Sequence, residues 1–353
     1  MPHKLKNVRE KIEKLGKEGQ TLNLVRHQER AQGSRNNETF VGICDEGLKS
    51  GVVGRDMEKD KIIRLLLNYD AREDISIIPI VGLGGLGKST LAESVFVDKR
   101  VNDFEVRAWV HVSKEFDLRK IGCAILKSIN SSINLDNCSL QFLQENLKKE
   151  LTGRRKICPM PNSDQIKLCV LSTDDCWEIM KQRTFGPDDD KGDLEEIGRK
   201  IAEKCGGVPL VAIALGQVMS ELRTVEAWQN IRDTNIDLGH RDHKDTLERL
   251  MLSYYYMKLD FKMCFTYLAA FPKGFVIESH LLIQQWTALG YIHRGDDGKR
   301  CINYLMGMSF LQISRSSAVS MEHYCSSYCW TMHVFSKFAL QVNKSTDKHF
   351  QLM

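Results

Sequence analysis

Val81-Gly82-Leu83-Gly84-Gly85-Leu86-Gly87-Lys88-Ser89-Thr90 is the stretch that decides the fold. It fits the phosphate-loop pattern G-x-x-x-x-G-K-[ST], with Gly82 first, Gly87-Lys88 at the end and Ser89 closing. Glycines let successive backbone N–H groups turn into one concave nest, and a helix that starts there adds the positive end of its dipole. In such a loop Lys88 reaches the β- and γ-phosphates and the Ser89 hydroxyl lies on Mg2+. Upstream, Ile75–Val81 is a short apolar run of buried-strand type; downstream, Thr90–Phe96 reads as a helix. Gly82, Gly84 and Gly87 also satisfy G-x-G-x-x-G, the dinucleotide fingerprint. That second reading needs an acid about 20 residues on, at the end of the next strand. Asp103 and Glu105 stand before or inside that strand, and the reading leaves Lys88-Ser89 without a role.

The chain has 353 residues, 42% of them apolar, enough for two or three domains with sizeable cores. A net charge of +4 calls for neither nucleic acid nor a membrane surface as partner. No apolar run approaches the roughly 18 residues of a membrane span. The N-terminus, Met1-Pro2-His3-Lys4-Leu5-Lys6, is charged and lacks a signal-peptide core. Eleven cysteines without paired spacing fit reduced thiols and a cytoplasmic or nuclear location. His323, Cys325, Cys329 and His333 match no common zinc spacing.

Along the chain, Leu5, Val8, Ile12 and Leu15 fall at helical spacing among charges, as in the tail of a coiled coil. Residues 18–49 are polar and aperiodic, a linker. Val52–Asp56 opens a helix whose apolar face is Ile62, Ile63, Leu65, Leu66 and Leu67. Val106, Ala108, Val110 and Val112 alternate with Arg107, Trp109 and His111, which predicts a second strand. Helices over 118–129 and around Phe142–Leu151 complete a βαβα order typical of a parallel nucleotide-binding sheet.

The fold then demands a further core strand ending in Asp, the residue that holds Mg2+. After Arg155 the chain reads Lys156-Ile157-Cys158-Pro159-Met160-Pro161, and two prolines in three positions argue against a central strand. Leu168–Trp177 resembles a strand ending in the acids Asp174 and Asp175. Ser172 followed at N3 by Asp175 reads better as a helix N-cap with acids in the first turn. Helices flank Gly206-Gly207-Val208-Pro209-Leu210, and the aromatic run from Tyr254 to Trp286 reads as helical core. Leu311–Met332 is Ser-rich and partly β-like, and the last dozen residues read as a frayed tail.

Val53-Gly54-Arg55, the phosphate loop, Arg107–Ser113, Leu171–Trp177, Gly206–Leu210, Cys264–Pro272 and Met332-His333, in that order, resemble the NB-ARC module of plant intracellular immune receptors of the coiled-coil class. The resemblance implies a phosphate-loop α/β domain with an incomplete parallel sheet, a helical domain and a winged-helix domain, with ADP or ATP clamped between them. It implies boundaries at 1–50 for coiled-coil tail and linker, 51–168 for the nucleotide domain, 169–240 for the helical domain, 241–342 for the winged helix and 343–353 for the tail. It places Val53 and Arg55 near adenine and ribose, and Gly82, Gly84, Gly85, Leu86, Gly87, Lys88, Ser89 and Thr90 on phosphates, with Ser89 also on Mg2+. Pro209 packs on adenine and His333 reaches the β-phosphate. Pro209 as a mere helix breaker, and His333 as a satisfied buried histidine, stay open beside these roles.

Departures from the resemblance weigh as much. The strand ending in an Asp pair is missing, as is the strand after it whose Arg reads the γ-phosphate. Val334 stands where the family has Asp after Met-His. The coiled-coil domain is reduced to a tail and leucine-rich repeats are absent, so the chain reads as a truncated and internally deleted relative. These features predict an ADP-binding switch module in plant defence with little or no hydrolysis. Its expected partners are nucleotide and intact relatives or other signalling proteins. An interaction fragment that binds no nucleotide is the alternative. A working phosphate-loop ATPase or kinase is a third reading, which needs Asp174 or Asp175 as the metal-holding acid.

Overall fold

The computed structural model describes residues 52–67, 76–104, 106–110, 112, 117–130, 133, 135, 138–152, 158–159, 165–186, 189, 192–234, 246–271, 276–313 and 327–330. The chain divides into compact units at residues 1–38 and 39–353, and every feature below belongs to the second. The N-terminal helix, the linker, His323, Cys325, His333 and the tail lie outside the described residues.

Helix α1 (Asp56–Leu67) carries Asp56 and Glu58 in its first turn, where acids complement the dipole, and buries Ile62 and Ile63. The apolar run before the loop is cut by Pro79, which has no N–H to give. It forms two short strands, β1 (Ser76–Ile77) and β2 (Ile80–Val81), instead of one. Helix α2 (Lys88–Phe96) follows the loop. A 3-10 turn over Lys99–Val101, capped by Asp98, precedes α3 (Leu118–Ile129) and α4 (Leu140–Leu151). Asp117 accepts from the N–H groups of Arg119 and Lys120, and Ser139 from that of Phe142, so both helices start on a side-chain cap.

One sequence expectation about strands is corrected and one is sharpened. After Arg155, where the prolines argue against a central strand, a two-residue strand β3 (Cys158–Pro159) pairs in parallel with β1. Proline is tolerated because β3 has two residues and a single neighbour, so the missing N–H interrupts no central ladder. Conversely, residues 106–110 and 112 join no ladder among the described residues. Alternation offers a face, and a strand also needs an edge to bond to. This segment packs its side chains on the end of α2 instead: Trp109 meets Phe96 edge-on at 5.7 Å, and Arg107 lies over that ring and donates to Phe96 O at 3.0 Å. The second parallel pair joins β2 to β4 (Ile166–Lys167). Bonds from Ile166 N to Pro79 O and Leu168 N to Val81 O bracket it.

Helix α5 (Thr173–Thr184) begins on the capping box read from sequence: Ser172 accepts from Asp175 N–H, and the Asp175 carboxylate accepts from Ser172 N–H. Then come α6 (Leu194–Glu203), α7 (Pro209–Glu221) with Pro209 at its first position, α8 (Val225–Asp233), α9 (Thr246–Tyr255) and α10 (Leu259–Leu268). Strand β5 (Val276–Glu278), α11 (Ser279–Ala288), α12 (Gly295–Gly307), β6 (Leu311–Ile313) and β7 (Ser327–Trp330) close the described chain. Their strands form an antiparallel sheet in the order β5-β7-β6.

Helix α7 is apolar nearly all round and lies at the centre. Leu210, Val211, Ala212, Ala214, Leu215, Val218 and Met219 are buried, as such a helix requires. At Gly216 it approaches α5 so closely that an added Cβ would stand 3.1 Å from Met180 Cα. Farther along, Gln217 lies against Gly307 of α12, filling the space a Cβ there would need. Trp177, Trp228, Trp286, Phe265 and Phe310 are fully buried; of the predicted aromatic run, Tyr254, Phe265 and Trp286 lie in the core, Tyr256, Tyr267 and Phe271 pack half-buried against it, and Tyr255 is exposed. Helices α3 and α4 stand apart in this respect: Leu126, Cys138 and Leu143 make a small core of their own.

At Gly198 of α6 a Cβ would fall 2.2 Å from the ring of Trp177, itself wedged edge-on against Trp228 and Phe185. Gly→Ala inside a helix ordinarily stabilises by about 1 kcal/mol. We expect Gly198→Ala to do the reverse and to cost roughly 1–3 kcal/mol through overpacking. A urea midpoint that rises instead would show that Trp177 can yield.

Candidate functional site

The glycine loop hangs between β2 and α2. Gly85 and Gly87 have φ of +82° and +85°, left-handed backbone that a side chain strains. Gly87 is the N-cap of α2, and its carbonyl accepts the first helical bond from Leu91. Nothing lies within 4 Å of where a Cβ on Gly87 would stand, so the space before the helix N-terminus is open. Ser89 and Thr90, in the first turn of α2, are exposed beside it.

The carbonyl side of this loop is fully engaged. Lys88 Nζ folds back across it and donates to Gly82 O at 3.0 Å and Leu83 O at 2.8 Å. Thr246 Oγ1, at the start of α9, donates to Gly84 O at 2.9 Å. Leu210 N, beside Pro209 at the start of α7, donates to Gly85 O at 3.3 Å. Arg55 donates to Leu86 O at 3.3 Å. Five consecutive carbonyls thus find donors on four different segments. With them spoken for, the N–H side of the nest and the helix terminus form the face available to an anion.

Arg55 is 4% exposed and turned inward. Besides the loop carbonyl it donates to Cys169 O at 2.8 Å and pairs with Glu58 Oε1 at 3.1 Å. Its geometry is that of a strut between the loop and the chain leaving β4. Val53 is half-buried two residues earlier. Between them Gly54, at φ +68°, packs on Asp175: a Cβ there would lie 2.7 Å from the carboxyl carbon. The structure therefore gathers Val53, Arg55, Gly82 to Thr90 and the Pro209 end of α7 in one place. Sequence reasoning missed Thr246 and Cys169, and no local signal marks either. A threonine opening a helix reads as a cap, and a backbone carbonyl carries no signature.

For phosphate the residues present fit: left-handed glycines with open space at Gly87, a helix N-terminus, a lysine, two hydroxyls. For Mg2+ the fit is thin. Asp174 is 83% exposed and pairs with Arg199 at 2.6 Å, while Asp175 is committed to capping α5. Among the described residues no three His, Cys, Asp or Glu side chains cluster as a metal would need. The donor this loop offers a cation is the Ser89 hydroxyl, the remaining ligands being those of phosphate and water.

Residues 55–160 match the NB-ARC domain, and residues 270–335 match the disease resistance protein winged helix domain. This is an NB-ARC chain of the plant disease-resistance type. It is 35% identical over 284 residues to disease resistance protein RGA2 of Solanum bulbocastanum, covering 68% of this chain and 29% of that one. Putative disease resistance protein RGA1 of the same plant is 34% identical over 311 residues, covering 74% and 32%. A putative RPP13-like disease resistance protein 1 of Arabidopsis thaliana is 28% identical over 305 residues, covering 73% and 29%. The NB-ARC chain spans about a third of the length of these relatives. A likeness to Drosophila ORC bound to DNA, at 11% identity and a TM-score of 0.32, is too remote to support any conclusion.

Each alignment is longer than the part of this chain it covers. The 284 positions shared with RGA2 hold 68% of 353 residues, about 240, so some forty positions of the relative have no counterpart here. The NB-ARC match itself ends at residue 160. No helix among the described residues is long and apolar enough to cross a membrane.

If Arg55 is the strut its bonds suggest, Arg55→Met should cost about 2 kcal/mol or more without any nucleotide present, because two inward carbonyls lose their donor. The check is chemical denaturation of the ligand-free chain. An unchanged midpoint would mean those bonds contribute nothing to stability.

Proposed function

We propose that this NB-ARC chain is a nucleotide-binding switch module of plant defence that holds ADP in preference to ATP and turns over little or none. The observation carrying this reading is the loop: left-handed glycines, open at Gly87, at a helix N-terminus, with every carbonyl from Gly82 to Leu86 held by a donor. Gly84, Gly85, Gly87 and Lys88 would bind phosphate, Ser89 and Thr90 would add hydroxyls, and Pro209 would pack on the base.

The ADP preference rests on charge. A third phosphate adds negative charge and leans harder on Mg2+ for neutralisation. Asp174 and Asp175 are engaged elsewhere, so neither shares the metal with Ser89. Switching follows from where the carbonyl donors sit. Leu210 and Thr246 open α7 and α9, so a ligand that alters the loop biases the helices that follow, to the extent that it binds two arrangements unequally. His333 would sense the β-phosphate from the winged-helix domain, without the supporting acid that Val334 replaces. The module would act in the cytosol or nucleus, on intact relatives or other signalling proteins.

A second reading, an interaction fragment that binds no nucleotide, is favoured by the thin sheet. Its strands have two residues each, and Ile77 is 60% exposed at one of them.

Thermal melting with ADP and Mg2+ separates the two. We expect one cooperative transition raised by several degrees at saturating ADP, since a ligand at about 100 times its Kd adds roughly 2.7 kcal/mol. Lys88→Ala should abolish the rise, and no phosphate should be released from ATP. A melt indifferent to ADP supports the fragment reading. Mg2+-dependent phosphate release lost in Asp175→Ala would overturn the proposal in favour of an enzyme.

A further inference from the structure

Among the described cysteines, Cys176, Cys205, Cys264 and Cys301 lie in the main core with no exposed surface, and Cys205 donates to Met180 Sδ at 3.7 Å. One pair lies apart from that core. Cys123, on α3, and Cys138, just before the Ser139 cap of α4, hold their sulfurs 3.4 Å apart. Cys123 is partly exposed and Cys138 sits at the margin of burial. Both belong to the small α3–α4 core, where Leu126 and Leu143 are their buried neighbours.

We infer that Cys123 and Cys138 are a reversible thiol–disulfide site that, on oxidation by a small disulfide, staples α3 to the start of α4. A disulfide needs its sulfurs at about 2.05 Å. The remaining gap is small, and it lies in a hairpin with few buried residues to resist adjustment. In the first step the Cys123 thiol gives its proton to solvent and its sulfur attacks one sulfur of the oxidant. The oxidant's S–S bond breaks and one small thiolate leaves. The Cys138 sulfur, deprotonated by solvent, then attacks Cys123 Sγ in the mixed disulfide and expels the second small thiol. Two protein thiols become one disulfide, and one small disulfide becomes two thiols.

Burial, followed by the neighbouring Cys138 thiol, pushes the Cys123 thiol up to about 11. Its thiolate is scarce near neutrality, so closure should be slow there and gain about tenfold per pH unit in this range. The favourable term is proximity: once Cys123 is in a mixed disulfide, Cys138 is already in contact with it. The exposed Cys169 offers the internal comparison: among the described residues no cysteine sulfur lies against it, so it stops at the mixed disulfide.

The test equilibrates the whole chain in glutathione buffers of rising oxidised fraction, traps free thiols by alkylation, digests with trypsin and reads the peptides by mass. Cleavage after Lys127 separates Ile121–Lys127 from Ser128–Lys148, so the two travel together only through a Cys123–Cys138 bond. We expect that linked species, two mass units below its reduced parts. It should appear at an oxidised fraction at least tenfold lower than half-modification of Cys169, vanish with reductant and be absent in Cys138→Ser. In the native oxidised chain, cleavage after Lys127 should slow severalfold. Two results overturn the inference: both thiols alkylated across the whole range, or Cys123 capped by glutathione at the same fraction as Cys169 without the link.

Discussion

A polypeptide that offers its N–H groups to an anion must do something with the carbonyls it turns away. In this chain that requirement organises the site. Gly82 to Leu86 present five carbonyls in a row, and Lys88, Thr246, Leu210 and Arg55 between them supply every donor. Each bond is worth only about 1 kcal/mol net, but leaving such a group inward and unpaired costs more, so the loop's shape and the placement of α7 and α9 are fixed together. The phosphate loop is therefore held by the helical part of the molecule as much as by its own sheet, whose strands are two residues long.

That arrangement explains which parts of the structure were legible in the sequence. Features set by neighbours a few residues away were readable: the glycine loop, the Ser172–Asp175 capping box, and Pro209 at a helix start. Features set by distant partners were not. Thr246 meets Gly84 across 162 positions and Arg55 meets Cys169 across 114, and neither pairing leaves a trace in local pattern. The strand read at Val106–Val112 failed for the same reason. Its alternation is real, but among the described residues no strand edge pairs with it, and its side chains settled on Phe96. Pro159 agrees with its reading: the prolines argue against a central strand, and β3 has two residues and, among the described residues, one neighbour.

The metal side of the site shows how a motif can be present and its usual support thin. Ser89 stands where the pattern asks. The two acids nearest in pattern to a metal-holding role are spent on a helix cap and a surface ion pair, in a chain whose alignments to its relatives lack some forty positions. A phosphate nest works through backbone geometry and tolerates that loss. Handling a third phosphate depends on added positive charge and tolerates it less.

Helix α7 has a consequence of its own. Thirteen residues make a rod about 20 Å long. One end is bonded to the glycine loop through Leu210, Gly216 past the middle is pressed on α5, and the next residue, Gln217, fills the gap at Gly307 of α12. With no room to bend or repack at Gly216, the rod can only pivot there, like a rocker arm on a bearing. An ångström of travel at the Leu210 end, about 9 Å from Gly216, is then a tilt of roughly six degrees, felt by α12 through Gln217 beside the bearing.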